Sequence, residues 1–121
     1  MSFRLLVALS LLLVSTWFGG DALAAPTLGK CPRGSMNATQ YATGSGTASG
    51  QAFRPDGLTA AHKKLPFGTR VKLTNPRTGA STVVTINDRG PFTRGRDIDL
   101  SRGAARAIGL ASVGTVCAEI L

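Results

Sequence analysis

Two hydrophobic patterns divide this chain. From Leu5 to Phe18 the apolar positions are continuous, broken only by Ser10, Ser15 and Thr16, with Arg4 ahead of them and Ala22-Leu23-Ala24 behind. A cation, an apolar core and a small-x-small triplet form a secretory leader, so residues 1–24 are expected to be cleaved after Ala24. The run is shorter than the roughly 20 apolar residues a spanning helix needs, and Gly19-Gly20-Asp21 ends it. Beyond the leader the apolar runs shorten and alternate with polar residues, the pattern of half-buried strands.

Taken in order, residues 25–38 hold Pro26, Gly29, Pro32, Gly34 and Asn37 with little periodicity, which predicts an irregular arm. Residues 39–121 are expected to form the domain. Thr39 to Thr43 is a short strand candidate, and Gly44 to Gly50 is a glycine-rich loop whose backbone a polymer could approach. Thr69-Arg70-Val71-Lys72-Leu73-Thr74 alternates with period two, and Ser81 to Asn87 contains the β-branched run Thr82-Val83-Val84-Thr85-Ile86. Asn75-Pro76-Arg77-Thr78-Gly79 between them supplies turn residues, so the two strands should form a hairpin. Asp97-Ile98-Asp99-Leu100-Ser101 leads into a short helix over Arg102 to Ile108, which Ser101 or Asp99 can cap and Gly109 can end. Thr115 to Leu121 is the last strand. Several short strands with one or two short helices predict a small, mostly β barrel rather than a βαβ fold.

Charge narrows the partners. Lys and Arg number 14 against six Asp and Glu, a formal net charge of +8, and the leader takes one of each sign with it. Outside a cell the usual polyanions are wall polymers and membrane surfaces. The cations are scattered and aromatics few, so nucleic acid is not an expected partner. Cys31 and Cys117 near the two ends of the mature chain suggest a disulfide in an oxidising compartment. No cysteine stands at the cleavage point, so no lipid anchor is expected, and the mature protein should be a soluble monomer in the periplasm or outside the cell.

The candidate chemistry centres on Ile86-Asn87-Asp88-Arg89-Gly90-Pro91-Phe92, where a packed strand passes into a stiff turn that opens with a carboxylate. Asp88 could be aimed as an acid, or could simply pair with Arg89 or cap the turn. His62 is the one histidine, and no second His or Cys stands at ligand spacing, so neither a metal nor a cofactor is expected. Asp56 lies in Arg-Pro-Asp-Gly, a turn signature, and Glu119 in the last strand should be solvated. Acid–base work thus falls to Asp88, assisted by His62, with Asp99 held for the helix start and a secondary role in chemistry.

Six stretches together resemble the rare lipoprotein A (RlpA) family: Thr47 to Gly50, Thr59 to His62, Leu65 to Thr69, Val71 to Asn75, Ile86 to Phe92, and Asp99 to Ser101. The resemblance runs in unbroken order from about Tyr41 to Leu121. It implies a six-stranded double-psi β-barrel, related to barwin and expansin barrels. It also implies action on peptidoglycan glycan strands, as a lytic transglycosylase or as a glycan-binding relative. Carried onto this chain, Asp88 matches the catalytic aspartate, His62 the site histidine, and Tyr41 a tyrosine near the groove; Gln51, Asp99 and Arg89 join Tyr41 as expected glycan contacts. Active members typically carry glutamate where this chain has Gln51, which keeps the shape but cannot exchange a proton. The implied reaction is cleavage between N-acetylmuramic acid and N-acetylglucosamine with a 1,6-anhydro product; the alternative is a non-catalytic, expansin-like wall-binding module.

Overall fold

A computed structural model describes residues 31–121, so the expected leader and the start of the arm lie outside the described residues. Its elements are β1 (Ser35–Tyr41), β2 (Thr59–His62), β3 (Arg70–Thr74), β4 (Ser81–Asp88), β5 (Ile98–Ser101), α1 (Arg102–Ala107) and β6 (Gly114–Ile120). The strands close into a barrel in the order β1-β5-β2-β4-β3-β6, and closure leaves no open sheet edge. This is the expected six-stranded, mostly β fold of the double-psi type.

The expected hairpin is the antiparallel β3–β4 pair, with Val71 opposite Val84 and Leu73 opposite Thr82. Its turn is tied down by Asn75, a buried side chain that donates to the Ile108 carbonyl and accepts from the Arg77 amide. Two other pairings are parallel, β1 with β5 and β2 with β4, and neither leaves a local mark in the sequence. β1 begins at Ser35, not Thr39, so residues 35–38 of the expected irregular arm are strand. They pair with Gly114 to Cys117 of β6, a partner nearly eighty residues away that no local window contains.

One face of each strand fills the barrel. Ala38, Ala60, Val71, Leu73, Val84, Ile86, Ile98, Leu100, Val116 and Ala118 form the core together with Ala104, Ala105, Ile108 and Leu110 from the helix and its exit. The alternation in β3, exposed Arg70 and Lys72 against buried Val71 and Leu73, is the period of a strand with one wet face. Ser101 caps α1 by accepting from the Ala104 amide, and Gly109 at φ 70° follows its end. Asp99 has no part in the cap, because β5 runs on to Ser101 and holds Asp99 in the sheet.

Gly103 marks a close approach of two backbones. A Cβ there would lie 2.4 Å from the Asp56 carbonyl oxygen, and the Gly103 amide donates to Pro55 O at 2.8 Å. The turn from Arg54 to Gly57 is thereby seated on the helix start, and the Asp56 carboxylate forks onto Arg102 at 3.0 and 3.1 Å. Cys31 and Cys117 are bonded across 86 residues of sequence, fixing the entry of β1 against β6. Closing so long a loop destabilises the unfolded chain by at most about 4.6 kcal/mol on the chain-entropy account.

Candidate active site

The parallel β2–β4 pairing carries Asp88 to the site. It sets Asp88 of β4 beside Ala61 of β2, after a register shift between Ala60 and Ala61. On the other side of Ala61 stands Asp99 of β5, and beyond it Thr39 of β1. Two carboxylates therefore flank a small residue that is 3% exposed yet outside the core cluster. A larger side chain than alanine would fill the space between them.

One oxygen of Asp88 is fixed by the backbone. Oδ1 accepts from the Ala48 amide at 2.9 Å and from the Arg89 amide at 2.8 Å. Oδ2 has no backbone donor among the described residues. The Ala48 donor comes from the glycine-rich loop, which docks on the end of β4. Ser49 N donates to Asn87 O at 3.2 Å, and Thr47 closes the turn onto Gln51 O through both its amide and its hydroxyl. The glycine-rich loop, read from the sequence as a place for a polymer to approach, is thus what orients the acid.

Tyr41 and Asp99 complete this corner. The Tyr41 ring stacks on Phe53 with centroids 4.6 Å apart, and its hydroxyl oxygen is buried with no hydrogen bond of good geometry. Burial first, then the neighbouring Asp88 and Asp99 charges and contact with the Asp88 carboxylate, push the phenol well above its ordinary value. Burial also raises Asp99, with a further push from Asp88, while the Thr39 hydroxyl donating at 2.7 Å to Asp99 Oδ1 acts the other way. Asp99, Asp88 and Tyr41 form one interacting group, and Asp99 holds its proton to higher pH than an ordinary aspartate.

His62 is at the end of β2, and no hydrogen bond joins it to Asp88. Its Nδ1 accepts from the Lys64 and Leu65 amides, both at 3.0 Å, which leaves the neutral ring its proton on Nε2. Burial lowers its pKa below 6.5; Asp97 opposes this, and Arg89, Lys63 and Lys64 reinforce it. The arrangement presents His62 as a neutral N–H donor. Arg89 commits one guanidinium nitrogen to backbone carbonyls. Its Nη1 donates to the Leu65 and His62 carbonyls at 2.8 and 3.2 Å, and its guanidinium lies 4.0 Å over the Phe67 ring. It braces the His62–Phe67 segment against the site turn.

Gln51 is exposed, and its Oε1 accepts from Asn87 Nδ2 at 3.2 Å. Three residues escape the sequence reading. Phe53 and Thr39 give no local signal, since one is a lone apolar residue in a loop and the other an ordinary strand threonine. Phe92, 83% exposed one residue beyond the site's proline, could have been found, because a large bare aromatic beside a carboxylate is a familiar sugar platform. Among the described residues no group of three or more His, Cys, Asp or Glu side chains is placed to hold a metal ion, and no helix is long and apolar enough to cross a membrane.

Comparison with known proteins gives a consistent result. The family model described as lytic transglycolase matches residues 33–120. A probable endolytic peptidoglycan transglycosylase RlpA of Synechocystis sp. is 65% identical over 77 residues, 62% of this chain and 24% of that protein. One of Nostoc sp. is 61% identical over 74 residues, 61% of this chain and 20% of that protein. The endolytic peptidoglycan transglycosylase RlpA of Pasteurella multocida is 53% identical over 77 residues, covering 62% and 26%. The matched stretch spans about a fifth to a quarter of these relatives' length. Among solved structures, the Streptomyces papain inhibitor superposes with a TM-score of 0.54 at 22% identity, over 74% of this chain and 98% of its own, a likeness of fold. With a family model matched from residue 33 to residue 120, and with the barrel and the Asp88 turn that the RlpA resemblance implies, the chain belongs to the lytic transglycolase family and is RlpA-like within it.

Proposed function

We propose that this chain is an endolytic transglycosylase acting on peptidoglycan glycan strands in the periplasm or outside the cell, as a monomer and without a cofactor. The observation that carries the reading is the fixed Asp88 carboxylate, with Oδ1 pinned by two backbone amides. Asp88 in its acid form gives a proton to the glycosidic oxygen as the C1–O bond breaks. The sugar's own 6-hydroxyl oxygen then bonds to C1, and its proton passes to the Asp88 carboxylate, which restores the acid and leaves a 1,6-anhydro ring. Because the nucleophile is tethered to the reacting ring, no second carboxylate is needed to activate water. Tyr41 and Asp99 hold the charge around Asp88, and His62 offers Nε2–H to the bound strand. Gln51 makes one polar contact, and Phe92 offers its ring to a sugar face.

The test is release of anhydro-ended products from purified glycan strands, read by mass spectrometry. A second reading, a wall-binding module without catalysis, is favoured by one observation: Gln51 has no proton to exchange at a position where active members of the family carry glutamate. Strand binding without anhydro product would establish that reading in place of the first.

A further inference from the structure

At Asn87, the residue before Asp88, lies a cavity of about 410 Å³ lined by Gln51, Ala52, Arg54, Gly57, Thr59 and Asn87. Every wall is anchored. Asn87 and Thr59 stand on β4 and β2, and Ala52 is held in a bridge with Gly46. The turn from Arg54 to Gly57 is seated on the helix start through the Gly103 amide and the Asp56–Arg102 fork. The volume suits one sugar residue rather than a chain segment.

The lining carries unspent hydrogen-bonding capacity. Asn87 is 4% exposed, and its Nδ2 is committed to Gln51, while its Oδ1 is buried without any partner among the described residues. The Thr59 hydroxyl oxygen is likewise buried and unpartnered among the described residues. Holding such atoms away from both water and protein costs about 1–3 kcal/mol apiece. Native proteins keep few of them, so two in one cavity wall point to a ligand. Arg54 adds a guanidinium that is exposed and in no ion pair among the described residues.

We infer that this cavity is a subsite for the acetamido group of an N-acetylated amino sugar. The inference rests on the glycan-cleaving reading and specifies its substrate contact. The amide N–H of the ligand donates to Asn87 Oδ1, its carbonyl accepts from the Thr59 hydroxyl, and its methyl lies on Ala52. Both orphan atoms are shielded at rest, so the exposed Gln51 side chain, tied to Asn87 by a single 3.2 Å bond, moves aside as the ligand enters. The location suits the chemistry. Asn87 directly precedes Asp88, and the acetamido group on C2 is one carbon from the C1 at which the glycosidic bond breaks. The subsite therefore reads the ring whose bond Asp88 protonates.

Calorimetry with two neutral β-1,4 tetramers tests this, one of N-acetylglucosamine and one of glucose, which differ in the group on C2. Wild type should bind the acetylated tetramer about tenfold more tightly, because the glucose tetramer leaves the same polar atoms unpaired. Thr59→Val, matched in shape but without the hydroxyl, should erase most of that preference, and Ala52→Leu, which fills the cavity from an exposed position, should weaken the acetylated tetramer by a similar factor; an unchanged preference in Thr59→Val would overturn the subsite. Thr59→Val should also keep or raise the melting temperature, because it removes an unsatisfied group. Equal binding of both tetramers by a wild type that still binds or cleaves peptidoglycan strands would overturn the subsite alone. A marked fall in stability for Thr59→Val would show that the hydroxyl already has a structural partner, and would also overturn it. If wild type neither binds nor cleaves the strands, the subsite falls together with the reading beneath it.

Discussion

Asp88→Asn separates the chemistry of the turn from its architecture. The side-chain oxygen that accepts from the Ala48 and Arg89 amides is retained by asparagine, so the docked loop keeps both bonds. What changes is their strength, since each passes from a charged to a neutral acceptor. The difference is about 1 kcal/mol per bond, or about 2 kcal/mol at most for the pair. Relief of the Asp88–Asp99 repulsion offsets part of this, because Asp88 is one of the charges that raise Asp99. For a domain of this size the melting temperature should fall by no more than about 10 °C. Catalysis should fall much further. General acid and base contributions run to 10²–10⁴ each, and asparagine can perform neither, so anhydro-product release should drop by about 1,000-fold or more while strand retention is kept. The assay is anhydro-ended product by mass spectrometry beside a pull-down on isolated sacculi, with the Asp99 carboxyl followed by NMR titration. Asp99 should titrate lower than in wild type once the Asp88 charge is gone, and remain above an ordinary aspartate because burial is the larger cause. Retention of more than a tenth of wild-type product by a folded Asp88→Asn would refute the assignment of Asp88 as the proton donor.

Four further outcomes follow from the same geometry. Gln51→Glu should raise anhydro-product release, since a glutamate oxygen can accept the same bond from Asn87 Nδ2 and add an exchangeable proton; product assays on the two proteins decide it. His62 is held neutral in the fold, so acidification through and below pH 6.5 protonates the unfolded chain first and lowers stability; melting curves against pH should show a steeper acid loss for wild type than for His62→Gln. Gly103→Ala should destabilise by about 1–3 kcal/mol in urea titration, because its Cβ meets the Asp56 backbone, whereas Gly46→Ala, with open space around it, should be near neutral. Replacing both Cys31 and Cys117 by serine should lower unfolding free energy by about 2–4 kcal/mol with little effect on product release, since the bond lies between β1 and β6 and not at Asp88.

The parts legible in the sequence are those whose signals are local. Val71, Leu73, Val84 and Ile86 announce two strands by alternation, the Asn75 to Gly79 turn joins them, and Ser101 and Gly109 bracket the helix. The Asp88 turn is legible because strand, carboxylate, glycine and proline stand side by side. β2 is silent, since Thr59-Ala60-Ala61-His62 is a central strand with both alanines buried and no alternation to show. The start of β1 is silent for a related reason, as its partner is β6. Asp99 is misplaced by its proximity to the helix, which made it a cap candidate, whereas parallel pairing with β1 puts it opposite Thr39 and one strand away from Asp88. The partners of Arg89 are silent in the sequence, because the carbonyls and the Phe67 ring that hold it belong to another segment.

The same distinction explains where the reactive corner sits. Strand pairing satisfies nearly all of this small barrel, and the buried side-chain polar atoms that remain without a partner among the described residues are Tyr41 Oη, Thr59 Oγ1 and Asn87 Oδ1. All three gather around one end of β4, within the reach of Asp88 or of the cavity at Asn87. A fold selected for stability alone would pair or remove them, since each costs free energy in the resting protein. The close packing of Gly103 on the Asp56 turn, the caps and the disulfide supply that stability elsewhere, and the unsatisfied atoms are left where a sugar can complete them. Specificity on this account comes from deficits fixed by a rigid frame. This is why the glycine-rich loop must dock through Ala48 and Ser49 rather than move freely, for a mobile loop would let water satisfy the same groups.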